Sequence, residues 1–527
     1  MPHPSARILA AAADGPACGA AESCPEFSGS GAPLRSGAVR FVAQRSSRLR
    51  LPGWALVAAL GLQACGGSGG GAAEPLQTST LSVTIAGNGF VESTPAGIDC
   101  HADCSKAYAR DAVVTLVPFA GAGQTFAGWS GDVDCSDGTV TMTTAHSCMA
   151  TFAPIQGARI AAGKDFSLAR SRSGVSYSWG SDAVEALGNG SAAHGSDLPG
   201  STALAATLEA IATAPGASHG LAIERTTGRV WAWGDNRAGQ LGDRSQSTRA
   251  DPVVMRDVNA VEITGAVAVA AGTANSLVLL GNGRVLTTGL NDQGQLGDGT
   301  AQSRNFAALV PDVCGQGMAV SAVAAGHDFS LALCADASVR AWGANSSGQL
   351  GDGSTDFSGT PRVVTGLTGH RIRAIAAGGS FALALDSDGF VWSWGSNGRG
   401  QLGTDSRVVL QRSVPDRVGG FTGGVAIAAG LEHALVLLAN NAVFAWGSND
   451  DGQVSSPDRG STSQIDFPFR VVGLPVIVEI AAGQAHSLVI DSTGAAWAWG
   501  ANSSGQLGIG NTSSPSTPVQ ISGLRLN

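Results

Sequence analysis

A chain of 527 residues is long enough for several domains, and its 75 glycines with only 13% charged residues fit many short strands meeting at tight turns. The formal net charge of −9 argues against a broad nucleic-acid footprint, which calls for a basic stripe, so nucleic acid is not among the expected partners.

Arg45, Arg48 and Arg50 precede an apolar run from Trp54 to Leu62, after which Leu62-Gln63-Ala64-Cys65 opens onto the linker Gly66-Gly67-Ser68-Gly69-Gly70-Gly71. Basic, apolar and small-residue segments in that order describe a secretion signal too short to span a membrane. The Leu-x-Ala-Cys ending resembles a bacterial lipoprotein signal. That resemblance implies cleavage before Cys65, lipid on its thiol, and an exported protein anchored in the bacterial cell envelope, at the outer membrane or cell surface. An ordinary signal peptide with an incidental cysteine is the alternative. The residues before Arg45 are Ser/Gly/Ala-rich and contain Cys18 and Cys24, which places the expected translation start downstream, at Val39 or Val42. Residues 1–65 are read as start region and signal, and 66–79 as linker.

Residues 80–153 read as a small β module. Leu81, Val83 and Ile85 alternate with Ser82 and Thr84, and 113–117 and 139–143 give further strands of half-buried character. Gly87-Asn88-Gly89-Phe90-Val91, Pro95-Ala96-Gly97-Ile98-Asp99-Cys100, Phe126-Ala127-Gly128-Trp129-Ser130-Gly131 and Ala150-Thr151-Phe152 together resemble the divergent internalin-type B-repeat of bacterial surface proteins. The resemblance implies an extracellular spacer or adhesive repeat. Cys100, Cys104, Cys135 and Cys148 suit the stapling of a small core in an oxidising compartment. Three pairings are open, with a tetracysteine zinc site as rival, although Cys-x3-Cys and Cys-x12-Cys is not the usual knuckle spacing. The B-repeat resemblance implies Cys100 with Cys104 and Cys135 with Cys148.

From residue 157 to 527 one phrase recurs seven times: a strand ending in Ala-Ala-Gly or a variant, a second apolar strand, Trp-Gly, then Asn-x-x-Gly-Gln-Leu-Gly. The closing glycines are Gly163, Gly216, Gly272, Gly326, Gly378, Gly430 and Gly483, spaced 52 to 56 residues apart. So regular a period marks stacked copies of one unit that cannot bury its apolar face alone. Seven four-strand copies predict an all-β fold, a seven-bladed β-propeller. In the last copy Trp497 and Trp499 share a face that is expected to pack on the neighbouring blade. Strands from the two termini are expected to share one blade, and Cys314 and Cys334, before and after two strands of one copy, could pair across them.

Trp233-Gly234 with Asn236 and Gly239-Gln240-Leu241-Gly242, and Trp342-Gly343 and Trp394-Gly395 with their Gly-Gln-Leu-Gly runs, resemble the regulator-of-chromosome-condensation propeller family in its bacterial alpha-tubulin-suppressor-like branch. Thr288-Gly289 replaces one Trp-Gly, Ser455 replaces one final glycine, and Glu185-Ala186-Leu187-Gly188 is a worn first copy. These departures bear on local turn geometry, not on the number of copies. A kelch propeller has a similar period, but its double glycine with distal Tyr and Trp is absent.

Signals for catalysis are poor. Gly66-Gly67-Ser68-Gly69-Gly70 matches Gly-x-Ser-x-Gly only in composition, lacking the strand and helix of a nucleophile elbow. His219, His433 and His486 recur three residues after the blade glycine and would bind metal if they converged, but Phe166, Asn275, Phe329 and Phe381 hold that place elsewhere. They are read as structural, with no metal, cofactor or enzymatic activity expected. The variable loops carry Phe306, Phe357, Phe467 and Phe469, which are candidates for anchoring a partner or for capping a blade. The leading reading is a monomeric, lipid-anchored scaffold that binds an extracytoplasmic protein or polysaccharide. The family resemblance also implies two other readings: inhibition of a secreted enzyme, as in a β-lactamase-inhibitor propeller, and guanine-nucleotide exchange, which an exported protein would have no cytosolic GTPase to serve.

Overall fold

The computed structural model describes residues 77–526 apart from 87–88, 101–103, 121–123, 155–158, 192–194 and 457–462, so Cys65 and the signal segment lie outside the described residues.

The small module is built of two sheets. Thr78–Ala86 lies between Ser105–Ala109 and His146–Pro154, with Gln124–Gly131 beyond, and a second sheet joins Gly89–Thr94, Val113–Ala120 and Thr139–Thr141. The period-two pattern read from the sequence appears directly: Leu81 and Val83 are buried, and Val114 and Leu116 point inward while Val113 faces solvent. Cys135 and Cys148 are bonded within this core, and Cys100 bonds Cys104 at its edge.

Seven four-stranded antiparallel sheets follow, each taken from one continuous stretch. The blades begin at Ile160, Leu208, Ala266, Val320, Ile372, Gly424 and Ile477, and are numbered 1 to 7 in that order. First strands touch their counterparts in neighbouring blades and are innermost, while the fourth strands form the rim. Second strands such as Phe381–Asp386 and His433–Leu438 are buried along their whole length, because each face is covered by an adjoining blade. The propeller core is accordingly seven slabs, one between each pair of blades.

One junction recurs at these slabs. The Trp-Gly indole donates its Nε1–H to the carbonyl of the Gly-Gln-Leu-Gly glutamine in the preceding blade: Trp342 to Gln295, Trp394 to Gln349, Trp446 to Gln401 and Trp499 to Gln453, at 2.8–2.9 Å. Trp233 uses Ala186 in the worn first copy, and Thr288 replaces the indole with a hydroxyl that donates to Gly239. Trp497 is half-buried against the same slab as Trp499. The motif also holds itself: the Asn345 carboxamide accepts Leu350 N–H at 2.9 Å, and the Gln349 carboxamide accepts Ser347 N–H at 2.9 Å. The glycine after tryptophan is required sterically, since Gly343 has φ +107° and a Cβ there would lie 2.5 Å from the Asp328 carbonyl oxygen.

The ring does not close by exchange of strands, contrary to the expectation from the sequence. Blades 1 and 7 each already hold four strands, so neither has a vacant place for a strand from the other terminus. Closure uses the same junction as elsewhere, with Trp179 donating to the Gln506 carbonyl at 2.9 Å, and adds a clasp. Arg159 donates to the Glu479 carboxylate through its backbone N–H and Nε at 2.7 and 3.0 Å, and to the Leu526 carbonyl through Nη1 at 3.3 Å.

The three histidines lie in the inter-blade slabs. His219, His433 and His486 are fully buried, and each directs Nε2 at a serine of the next blade: Ser276, Ser487 and Ser167, at 2.9–3.1 Å. Those serines donate their own protons to the glutamine carbonyls, so the imidazoles act as Nε2–H donors. Burial lowers their pKa values to about 4, 3 and 4. Where phenylalanine takes the histidine's place, the residue at the serine's position in the next blade is smaller: Gly220, Ala382 and Ala434 for Phe166, Phe329 and Phe381.

Two sets of predictions follow from these junctions. His433→Phe should destabilise by more than His433→Phe with Ser487→Ala, which copies the Phe381/Ala434 pair; the coupling should be about 1 kcal/mol in a denaturant double-mutant cycle. The unfolded histidine titrates near 6.5, so between there and about pH 3 for His433 the unfolded chain binds a proton that the folded chain refuses. Stability is thus complete above pH 6.5 and falls as pH drops, and the double variant should lose about 1.4 kcal/mol per pH unit of that acid-side slope. The worn turns yield the second set. Ser455 sits at φ +61° with its hydroxyl buried and unbonded, and Asp182, standing where the other copies have asparagine, buries Oδ2 without a partner while burial raises its pKa. Ser455→Gly and Asp182→Asn should each raise stability at pH 7 by about 1–2 kcal/mol, measured by urea unfolding. The Asp182→Asn gain should vanish at acid pH, where the carboxyl is neutral in both states.

Candidate functional site

Among the described residues no group of three His, Cys, Asp or Glu side chains is arranged to hold a metal ion. Each buried histidine is occupied by its serine, and the six described cysteines are joined in three bonds, the third linking Cys314 to Cys334 across blade 4 with Cα atoms 5.8 Å apart.

At the end where first strands turn into second strands, described residues crowd the propeller axis. The residues after the blade glycines join hands around it: Lys164 N–H donates to Ala217 O, Thr273 to His327, His327 to Gly379, Gly379 to Leu431, Leu431 to Gly483 and Gln484 to Gly163, at 2.9–3.4 Å. A Cβ on Gly216 would lie within 4 Å of Thr273, His327 and Leu431, which belong to blades 3, 4 and 6, so side chains from across the ring meet over the channel. The charges here are largely paired. His327 Nδ1 lies 2.6 Å from Asp328, which raises the imidazole pKa, and Arg399 reaches Glu432 and Asp450 at 3.8 and 3.3 Å.

Of the four phenylalanines expected on variable loops, only Phe357 lies on one; Phe306 is within the outer strand Arg304–Leu309, and Phe467 and Phe469 are within Gln464–Arg470, because the outer strands begin earlier than the sequence suggested. By exposure the four separate into two classes. Phe306 is half-buried on the outer strand of blade 3, where it bridges Asp243, and Phe469 packs into the slab between blades 6 and 7. Phe357 and Phe467 stand free, at 62% and 59% exposure. Phe467 and Pro468 form one wall of a rim groove of about 320 Å³ between the outer strands of blades 5 and 6. Arg412, Asp416 and Arg417 form the other wall, with Gly403, Thr404, Gly419 and Gly420 between them. The polar wall is held in place: Arg412 is ion-paired with Asp416, whose Oδ1 accepts Arg417 N–H at 2.8 Å, and the Arg417 guanidinium stacks 3.4 Å over the Phe390 ring. Reading the sequence singled out Phe467 but not Arg412, Asp416 or the glycines. They flank the Pro415 strand of another copy, and only the packing of one copy's outer edge beside the next brings them opposite Phe467.

Most rim strands are poor edges for pairing. Pro199, Pro252, Pro361, Pro415 and Pro468 interrupt five of them, and Pro518 precedes the last. The proline-free strand of blade 3 is covered instead, Ala307 donating to the Arg256 carbonyl of the preceding blade at 2.8 Å. Recognition at the rim is therefore left to side chains and loops.

Comparison with known proteins agrees with this architecture. The family model for the RCC1-like domain matches residues 255–526, that for the regulator of chromosome condensation (RCC1) repeat matches 227–279, and that for the divergent InlB B-repeat domain matches 79–156. The ultraviolet-B receptor UVR8 of Arabidopsis thaliana is 30% identical over 310 residues, 58% of this chain and 68% of its own length. The probable E3 ubiquitin-protein ligase HERC6 of Homo sapiens is 38% identical over 248 residues, 46% of this chain but only 24% of the ligase. Among solved structures, yeast RCC1 (Prp20) bound to Kap60 aligns with a TM-score of 0.58 at 22% identity, covering 69% of this chain and 85% of that one. Human WBSCR16 aligns with 0.57 at 26% identity, covering 66% and 93%. With more than half of its length matched by the one model, the chain belongs to the RCC1-like domain family.

Proposed function

We propose that this protein is a non-catalytic binding scaffold of the bacterial cell envelope, held by lipid at Cys65, spaced by the B-repeat module, and presenting the propeller to an extracytoplasmic partner. The observation that carries the reading is the pairing of all six described cysteines, which fits a protein that matures under oxidising conditions. An axis crowded at one end and the lack of a metal cluster among the described residues support binding at the surface over chemistry in a cleft. Ligase activity is not carried over from HERC6, of which this chain spans only a quarter.

Metabolic labelling with a palmitate analogue should mark the wild type and leave Cys65→Ala unmarked, and only the wild type should sediment with membranes. Several acyl chains together hold a protein firmly, whereas one alone is reversible. Equal labelling of the two proteins, or of neither, would remove the anchor from the proposal. A pull-down from envelope fractions with the wild type as bait tests the scaffold: a specific partner supports it, and its absence from every fraction rejects it.

A further inference from the structure

We propose that the groove between the outer strands of blades 5 and 6 is a subsite for one pyranose unit of a glycan. This deepens the scaffold reading and rests on it. The groove is amphiphilic in the way such a ring is. Phe467 offers a broad, exposed aromatic face beside Pro468, suited to the axial C–H surface of a sugar. Opposite it, Arg412 and Asp416 offer planar donors and acceptors to neighbouring hydroxyls, and both are fixed before any ligand arrives, which lowers the entropic cost of binding.

Charge and shape exclude the obvious competitors. Arg412 and Asp416 neutralise each other and Arg417 is spent on the Phe390 ring, so the groove favours neither a phosphate nor a cationic chain. A peptide adding as a strand would lack pairing positions beside Pro415 and Pro468. A volume of about 320 Å³ lies at the lower end of the range for small-ligand sites, enough for a single ring with its substituents. The bare glycines keep it open: Gly419 has ordinary φ, and a Cβ there meets nothing within 4 Å.

That last feature supplies the test. Saturation-transfer NMR on the purified full chain, with maltotetraose, cellotetraose and tetra-N-acetylchitotetraose as probes, should show transfer to the ring protons of at least one. Phe467→Ala should weaken that binding about tenfold or more, the usual loss for an aromatic anchor. Gly419→Trp should block it by filling the groove without removing any contact of the fold. Phe357→Ala, an equally exposed phenylalanine elsewhere on the rim, should leave it unchanged. Melting curves of the variants should superimpose on the wild type. No transfer to any of the three probes overturns the subsite, as does binding that survives both Phe467→Ala and Gly419→Trp. An envelope partner whose capture is indifferent to Gly419→Trp also overturns it, while leaving the scaffold reading intact.

Discussion

One carbonyl oxygen per interface organises this molecule. At five interfaces the glutamine of the Gly-Gln-Leu-Gly position turns its main-chain oxygen to the indole of Trp-Gly in the next blade, and at three of these a second-strand serine donates to the same oxygen; Ser276 alone meets Gln240, and Trp233 uses Ala186. A buried carbonyl with two lone pairs is costly to leave unmet, so this acceptor fixes the distance and rotation between neighbouring blades more sharply than apolar packing could. Apolar contact supplies most of the driving force and tolerates small slides; the hydrogen bonds remove that freedom.

The variation around the ring obeys the same constraint. A buried imidazole is tolerated only where the next blade supplies a serine, and a phenylalanine only where it supplies glycine or alanine. Each alternative fills the same volume, one with a polar pair and the other with an aromatic ring over a small residue. The interfaces therefore constrain blade order: exchanging blades 6 and 7, for example, would set Phe381 against Ser487 and His486 against Ala434. The Arg159 clasp on Glu479 and Leu526 shows what replaces a shared blade when both terminal units are already complete.

Rigidity of this kind leaves little for the interior to do. The axis is lined at one end by loop side chains, six of the seven outer strands are interrupted by proline or covered, and the three buried histidines are neutral and hydrogen-bonded to serine. The repeats differ most at the rim, where one interval holds an exposed aromatic beside an ion pair. A ring tied by hydrogen bonds at every interface supports such a pair from beneath, which is the advantage of mounting variable surface residues on a repeated frame.

The repeat itself determined much by sequence alone. A period of 52 to 56 residues, carried by glycines with no steric alternative and by tryptophans on one strand face, dictates four-stranded units and their number, because those constraints are local and recur. The alternation of Leu81 and Val83 located the module's core for the same reason. Closure of the ring was not legible, since it depends on whether residues 320 positions apart, Arg159 and Glu479, meet across the seam. Nor was the division of four similar phenylalanines into two half-buried and two free, because exposure on an outer strand or its loop is set by the blade beside it. The same holds for the groove, whose walls come from different copies and whose floor is glycine: the sequence names the residues, and only tertiary packing brings them face to face.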